Sequence, residues 1–245
     1  RDVERSRGLG DVYKRQFQDW QLIIVNDGST DNTAQICEQL AKQDSRITII
    51  HTPNRGAYKA RLTGIEHAEG DWLMFVDSDD TITTQCVEGL FKHAKDGIDI
   101  VAGTLNINNK SIFRHKIDGL IDSDSYTEAI LLSNTSIGLT SKIFRKKLFG
   151  TIPSVNSKIT NNEDLLLLLT IVQNAGNIYI DNSLICYNYI FRPNSGRFNL
   201  MTVDTWQLLF NSIHNILRNP DSTRFRSALS RLICLLYTSD AADEA

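Results

Sequence analysis

The sequence is short of the features that would place it in several large classes. Proline is scarce, with 4 residues in 245, and glycine stands at 14, which excludes collagen-like and proline-rich chains. Basic residues do not outnumber acidic ones: 26 Lys and Arg stand against 29 Asp and Glu, a net charge of −3. A chain with that balance is not a phosphate-tracking nucleic-acid binder. No apolar run approaches the roughly 18 residues of a membrane span. The longest, Leu165 to Leu169, has polar neighbours within two positions. No apolar h-region follows the early arginines, so nothing reads as a signal peptide. The four cysteines, Cys37, Cys86, Cys186 and Cys234, form no CxxC pair. They make neither a disulfide framework nor a zinc site, and read as reduced thiols of a cytoplasmic protein. His51, His67, His93, His115 and His214 show no metal-binding spacing and read as surface or satisfied positions.

Two terminal strings look foreign. Ser6 to Gln16 and Cys234 to Glu244 resemble translated sequencing adapters, and Arg1-Asp2 fits the same origin. On this reading the tails are 1–16 and 234–245. The genuine polypeptide is then 17–233, open at both ends, and its charge stays slightly negative.

Apolar runs and turn residues between those limits alternate regularly. Trp20 to Val25 reads as a buried strand, followed by a helix from Asp31-Asn32-Thr33 to Lys42. Strand Ile47–Ile50, helix Tyr58–Ala68, strand Trp72–Val76, helix Thr84–Ala94 and strand Ile98–Ala102 follow. This is a β-α-β-α-β-α-β series with short connections, the pattern of a parallel α/β sheet. Beyond Thr104 the expected elements are two short, polar strands or a hairpin in 107–121, and helices over Ser125–Leu132 and Ile143–Phe149. An apolar helix from Leu165, strands 178–182 and 184–190, and helices 202–217 and 223–233 complete the series. The stripe Trp206, Leu209, Phe210, Ile213 and Leu217 reads as core packing, because the polar face lacks a Lys/Arg cluster.

In open α/β sheets ligands bind beyond the carboxyl ends of the strands. Here those ends carry Asn26-Asp27-Gly28-Ser29 and Asp77-Ser78-Asp79-Asp80. Three carboxylates in four residues repel one another unless donors or a cation compensate them. A hard divalent cation takes oxygen ligands and keeps positions open for phosphates. A turn with a capping residue is the plainer reading of the same residues. Gly28 permits close approach to the backbone, and the helix N-terminus beyond it favours anions. Glu163-Asp164 opens a helix and reads either as an acid–base pair or as compensation of the helix dipole.

Taken in order, these segments resemble a known family. VNDGSTDNT from Val25, then the run from His51 to Asp80 ending in GDWLMFVDSDD, is similar to family 2 glycosyltransferases of the GT-A fold. Asn26 departs from the family's usual Asp, and Leu62-Thr63 from its Asn-x. Lys142-Ile143-Phe144-Arg145-Lys146, Glu163-Asp164, and Tyr187 to Ser195 resemble three further family segments.

The resemblance implies an α/β, GT-A-like, Rossmann-like and mostly parallel sheet flanked by helices, its first strand lying upstream of residue 17 and missing. It implies a nucleotide-sugar-binding half (17–104), an acceptor-side half (105–200) and C-terminal helices (201–233). Asp27, Gly28, Arg61, Asp77, Ser78 and Arg192 would bind the nucleotide sugar. Asp79, with Asp77 and Asp80, would hold Mn²⁺ or Mg²⁺, and Asp164 beside Glu163 would be the catalytic base. The implied activity is inverting transfer from a nucleotide-diphosphate sugar, UDP-linked by preference, to a hydroxyl of a glycan or lipid-linked acceptor. That activity belongs to bacterial surface polysaccharide synthesis, in the cytoplasm or peripherally at the inner face of the membrane. A non-catalytic nucleotide-sugar-binding module and a sugar-phosphate nucleotidyltransferase are the rival readings. Without its first strand the chain as written is expected to be poorly folded and inactive, unlike its parent.

Overall fold

The structure is a computed structural model that describes residues 18–108, 110–152, 155–156, 158–159, 162–190 and 202–242, with side chains up to 232. It opens with β1 (Leu22–Asp27), α1 (Thr33–Gln43), β2 (Ile47–Thr52) and α2 (Ala57–His67). Next come β3 (Trp72–Met74), β4 (Thr81–Ile82), α3 (Cys86–Phe91), β5 (Ile98–Ile107), β6 (Ser111–Phe113), β7 (Gly119–Asp122) and α4 (Ser123–Leu131). The remainder is β8 (Lys142–Arg145) with a 3₁₀ turn (Lys146–Phe149), α5 (Glu163–Asn174), β9 (Asn177–Tyr189), α6 (Val203–Ile216) and α7 (Thr223–Ala242).

The strands form two sheets. β1 and β2 pair in parallel, from Leu22 opposite Ile47 to Asp27 opposite Thr52. The larger sheet runs β3-β8-β5-β9-β4, with β6 added on β5 and β7 on β9. β5 and β9 are parallel, whereas β3–β8, β5–β8, β4–β9 and β7–β9 are antiparallel, so this sheet is mixed. Among the described residues no ladder joins β1 to β3.

Side chains alternate across the larger sheet and divide the core in two. Ile100, Ala102 and Phe144 face a large cluster built on α5, while Val101 and Ile143 face a small one with Cys86, Leu90, Cys186 and Tyr187. α5 is the centre of the large cluster. Every residue from Leu165 to Gln173 is buried, which explains why the leucine run shows no polar stripe.

The sheet expected to be mostly parallel is mixed, because β8, β7 and β4 join it antiparallel. Other features also differ from the sequence expectation. Residues 143–149 do not form a helix: Ile143 and Phe144 are both buried on opposite sheet faces, which requires period two, and only the last four residues coil. β3 stops at Met74, and Val76 is 47% exposed. The two late strands are one, because β9 runs alongside β5 through several register shifts. The expected division at 104/105 falls inside β5, so both halves share one sheet.

Candidate active site

The acidic residues expected at strand ends do lie there, but each carboxylate is differently employed. Asp27 ends β1. Its Oδ1 accepts from the Thr52 hydroxyl at 2.9 Å and the Arg55 N–H at 3.0 Å, and its Oδ2 accepts from the Gly56 N–H at 2.7 Å. Desolvation works against ionisation, but these hydrogen bonds and the Arg55 charge outweigh it and hold the carboxyl below its ordinary range. Asp27 thus secures loop 53–56. Gly28 is required beside it: φ is +74°, and a Cβ would sit 2.7 Å from the Asn54 nitrogen. Asn26, the departure from the family's Asp, places its amide 3.1 Å from His51 Nδ1 and accepts from Ser29 N–H at 3.0 Å.

The turn after β3 carries Asp77, Ser78, Asp79 and Asp80. Asp77 Oδ1 accepts from Arg61 Nη2 at 3.2 Å. Ser78 is exposed. Asp80 faces β9, taking hydrogen bonds from the Tyr187 hydroxyl at 2.8 Å and the Ile190 N–H at 2.8 Å. Burial pushes the Asp80 carboxyl up; these two hydrogen bonds oppose the rise, and the charges of Asp79 and Asp77 add to it.

Glu163 and Asp164 open α5 after Asn162, which adopts a left-handed conformation with φ 65°. A non-glycine residue held there stores strain of the kind that accumulates at functional positions. Burial raises the Glu163 carboxyl above its ordinary range, with Asp164 and Asp77 adding and Arg61 opposing. Asp164 Oδ1 accepts from the Leu165 N–H at 2.9 Å.

Arg61, from α2, connects the two acidic groups. Besides Asp77, it reaches Glu163, with Nη1 3.8 Å from Oε1. That nitrogen is buried and makes no hydrogen bond. One guanidinium therefore brings the strand-end cluster and the helix-start pair into a single site.

Two residues with a part in this site had no assigned role in the sequence. Lys142 is fully buried in β8, and its Nζ donates to Ser136 Oγ at 2.6 Å and Gly138 O at 2.7 Å. Burial lowers it to about 7, with Asp164 among the charges opposing the shift. It holds the loop whose Gly138 lies against Asp164; a Cβ there would be 3.6 Å from Oδ2. The sequence offered no signal for its depth, because residues 143–149 read as a helix. Tyr187, the other, is bonded to both Asp77 and Asp80, and its sequence signal was the paired tyrosines 187 and 189. Arg192, expected at the nucleotide sugar, lies outside the described residues, as does Ser195.

Among the described residues no group of three His, Cys, Asp or Glu side chains closes a metal site by itself. Cys37, Cys86 and Cys186 are buried free thiols. Among the same residues no helix is long and apolar enough to cross a membrane.

A family model described as glycosyl transferase family 2 matches residues 8–156. The chain belongs to this family. The match begins ahead of Phe17, within the segment that resembles an adapter. Among its relatives, glycosyltransferase GlyA of Streptococcus pneumoniae is 28% identical over 220 residues, 81% of this chain and 30% of its own length. Escherichia coli WfgD, named a UDP-Glc:alpha-D-GlcNAc-diphosphoundecaprenol beta-1,3-glucosyltransferase, is 28% identical over 187 residues, 75% of this chain and 70% of its own. The chain spans about a third of the length of the pneumococcal relatives it matches. The crystal structure of S. aureus TarS 1-349 in complex with UDP-GlcNAc superposes with a TM-score of 0.75 at 19% identity, covering 94% of this chain and 67% of that TarS 1-349 chain. At that identity the likeness is one of fold, and the fold is GT-A-like: a central sheet flanked by helices.

Proposed function

We propose that the chain carries the catalytic site of a glycosyltransferase that moves a sugar from a UDP-sugar to a hydroxyl of a glycan or lipid-linked acceptor. The observation that carries this reading is Arg61, which contacts Asp77 on the donor side and Glu163 on the helix that presents Asp164. A binding module has no need of a carboxylate pair facing the donor acids across one guanidinium. WfgD, named for a UDP-glucose donor and a diphosphoundecaprenol acceptor, supports a nucleotide-sugar donor and a lipid-linked acceptor. The reading places the protein in bacterial surface polysaccharide synthesis, at the inner face of the cytoplasmic membrane.

The reaction fitted to these residues is an inverting, in-line displacement. Asp164 takes the proton of the acceptor hydroxyl as that oxygen attacks the anomeric carbon and the bond to the diphosphate breaks. Positioned base catalysis contributes about 10²–10⁴ in rate. Arg61 holds Glu163 and Asp77 in register, and Gly28 and loop 53–56 form the nucleotide side.

The donor set suits Mg²⁺ or Mn²⁺. Asp77 and Asp79 offer hard oxygen ligands of the kind such a cation takes alongside phosphate oxygens. When bound, such a cation offsets charge on the departing diphosphate.

Asp164→Asn in the full-length protein is the direct test. The expected result is a loss of at least about 10² in UDP release from the UDP-sugar, within the range set by general-base removal. UDP affinity by calorimetry should stay within about twofold, since the amide still caps α5. Turnover retained within about tenfold would reduce Asp164 to a helix cap.

A further inference from the structure

The acid turn is fixed from beneath by β9, and one buried hydroxyl sits at the junction. Tyr187 has 0% exposure. Its hydroxyl accepts from the Asp77 N–H at 3.0 Å and donates to Asp80 Oδ2 at 2.8 Å. The second Asp80 oxygen accepts from the Ile190 N–H at 2.8 Å. Just beyond, Thr81 and Ile82 pair with Asn188 and Tyr187. The Thr83 N–H and hydroxyl donate to the carbonyls of Cys186 and Ile185 at 3.1 and 2.9 Å. The whole turn is thus stapled to one strand.

A turn with three like charges has several arrangements of similar energy, because each carboxylate can swing outward into water. A buried hydroxyl that both accepts and donates selects one of them, since leaving either bond unmade inside the protein is costly. Tyr187 bonds Asp77 through its main chain, so it sets that residue without occupying its carboxylate. It bonds Asp80 through the side chain, so it draws that carboxylate inward.

We propose that Tyr187 is a positioning residue for donor binding, and that Asp80 is its anchor rather than a ligand of the cation. The inference rests on the proposed function, in which the cluster holds a divalent cation with the UDP diphosphate, and it assigns that cation to Asp77 and Asp79.

The proposal is tested by calorimetry of UDP with the full-length protein, with MnCl₂ and with chelator, together with hydrogen exchange at the Asp77 and Ile190 amides. Tyr187→Phe keeps the ring and removes the hydroxyl. It should weaken manganese-dependent UDP binding at least tenfold, leave UDP binding in chelator within twofold, and speed exchange at the Asp77 amide. Asp80→Ala, which removes the same bond from the other side, should reproduce the loss and serves if Tyr187→Phe does not melt cooperatively. Asp80→Asn keeps one carbonyl oxygen, which can accept from the Tyr187 hydroxyl or the Ile190 N–H but not from both, so it should lose less than Asp80→Ala and retain manganese dependence. Asp79→Asn should abolish the manganese dependence. Manganese dependence in Tyr187→Phe and Asp80→Ala within twofold of wild type would overturn the positioning role. Equal loss in Asp80→Asn and Asp79→Asn would make Asp80 a ligand and overturn the anchor. Wild-type binding that ignores manganese would instead overturn the cation reading, and exchange at the Asp77 amide would still report on the latch.

Discussion

The two sheets are built to different depths. In β1 only Asn26 is buried, and Leu22 to Val25 are half-covered although all four are apolar. In β5, six consecutive residues from Asp99 to Thr104 are buried, and α5 behind the sheet is sealed from Leu165 to Gln173. The nucleotide side therefore stands on a shallow two-stranded ladder, while the proposed base stands on the deepest helix. On the proposed function, loop 53–56 and Gly28 rest on the shallow ladder, while the acid turn is tied to the deep sheet through Tyr187. A substitution that weakens one need not disturb the other.

The sharpest test of that contrast is a pair of truncations read by denaturant unfolding. Leu168→Ala, at 0% exposure in α5, should cost about 2–5 kcal/mol, as a cavity in a close-packed core does. Ile24→Ala in β1 should cost less than half as much, because its side chain already meets solvent. An Ile24→Ala loss equal to that of Leu168→Ala would abolish the distinction.

A second, somewhat smaller effect comes from acid. His115 is buried beneath β5; its Nε2–H donates to Gly103 O at 2.9 Å, and its Nδ1 accepts from the Thr135 hydroxyl. Burial and then the Lys142 charge lower its pKa from 6.5 to about 4. The unfolded chain therefore takes the proton first. Stability should fall as pH drops from about 6.5 to about 4 and level off below, by roughly 3 kcal/mol for a shift of that size. His115→Gln should flatten this part of the stability–pH curve. An unchanged slope would remove His115 as its source.

The smallest effect belongs to the shallow side. Asp27→Asn should speed hydrogen exchange at the Arg55 and Gly56 amides by a few-fold and leave the β5 amides untouched. Because the Asp27 pKa is lowered, its contribution is present above the ordinary carboxylate range and is lost as pH falls through the lowered value. Exchange changes that spread into β5 would join the two sheets into one cooperative unit.

These contrasts explain what the sequence disclosed. The alternation from β1 to β5, the sealed leucine helix and both acidic groups were legible, because hydrophobic period and turn residues are local signals. The strand at 142–145 was not, because Lys-Ile-Phe-Arg-Lys-Lys-Leu-Phe fits a helical spacing equally well, and only the two cores flanking β8 decide between them. Nor could spacing reveal that Asp80 turns inward, since its partner Tyr187 is 107 residues away. The depth of Lys142 was hidden for a similar reason: its acceptors lie in a loop with no periodic pattern.

That separation has a consequence for how the protein is made. Asp77 leaves the ribosome 110 residues before the tyrosine that fixes it. β5 likewise waits for β9, its parallel neighbour, with Ile98 opposite Asn177. Contacts so distant in sequence close late and slowly. During synthesis the acid turn exists first as an unformed, mutually repelling stretch. On the proposed function, the bonds that fix the acid turn close only after β9 has been made, so a nascent chain ending before Tyr187 contains every proposed cation ligand but not the hydroxyl that positions them.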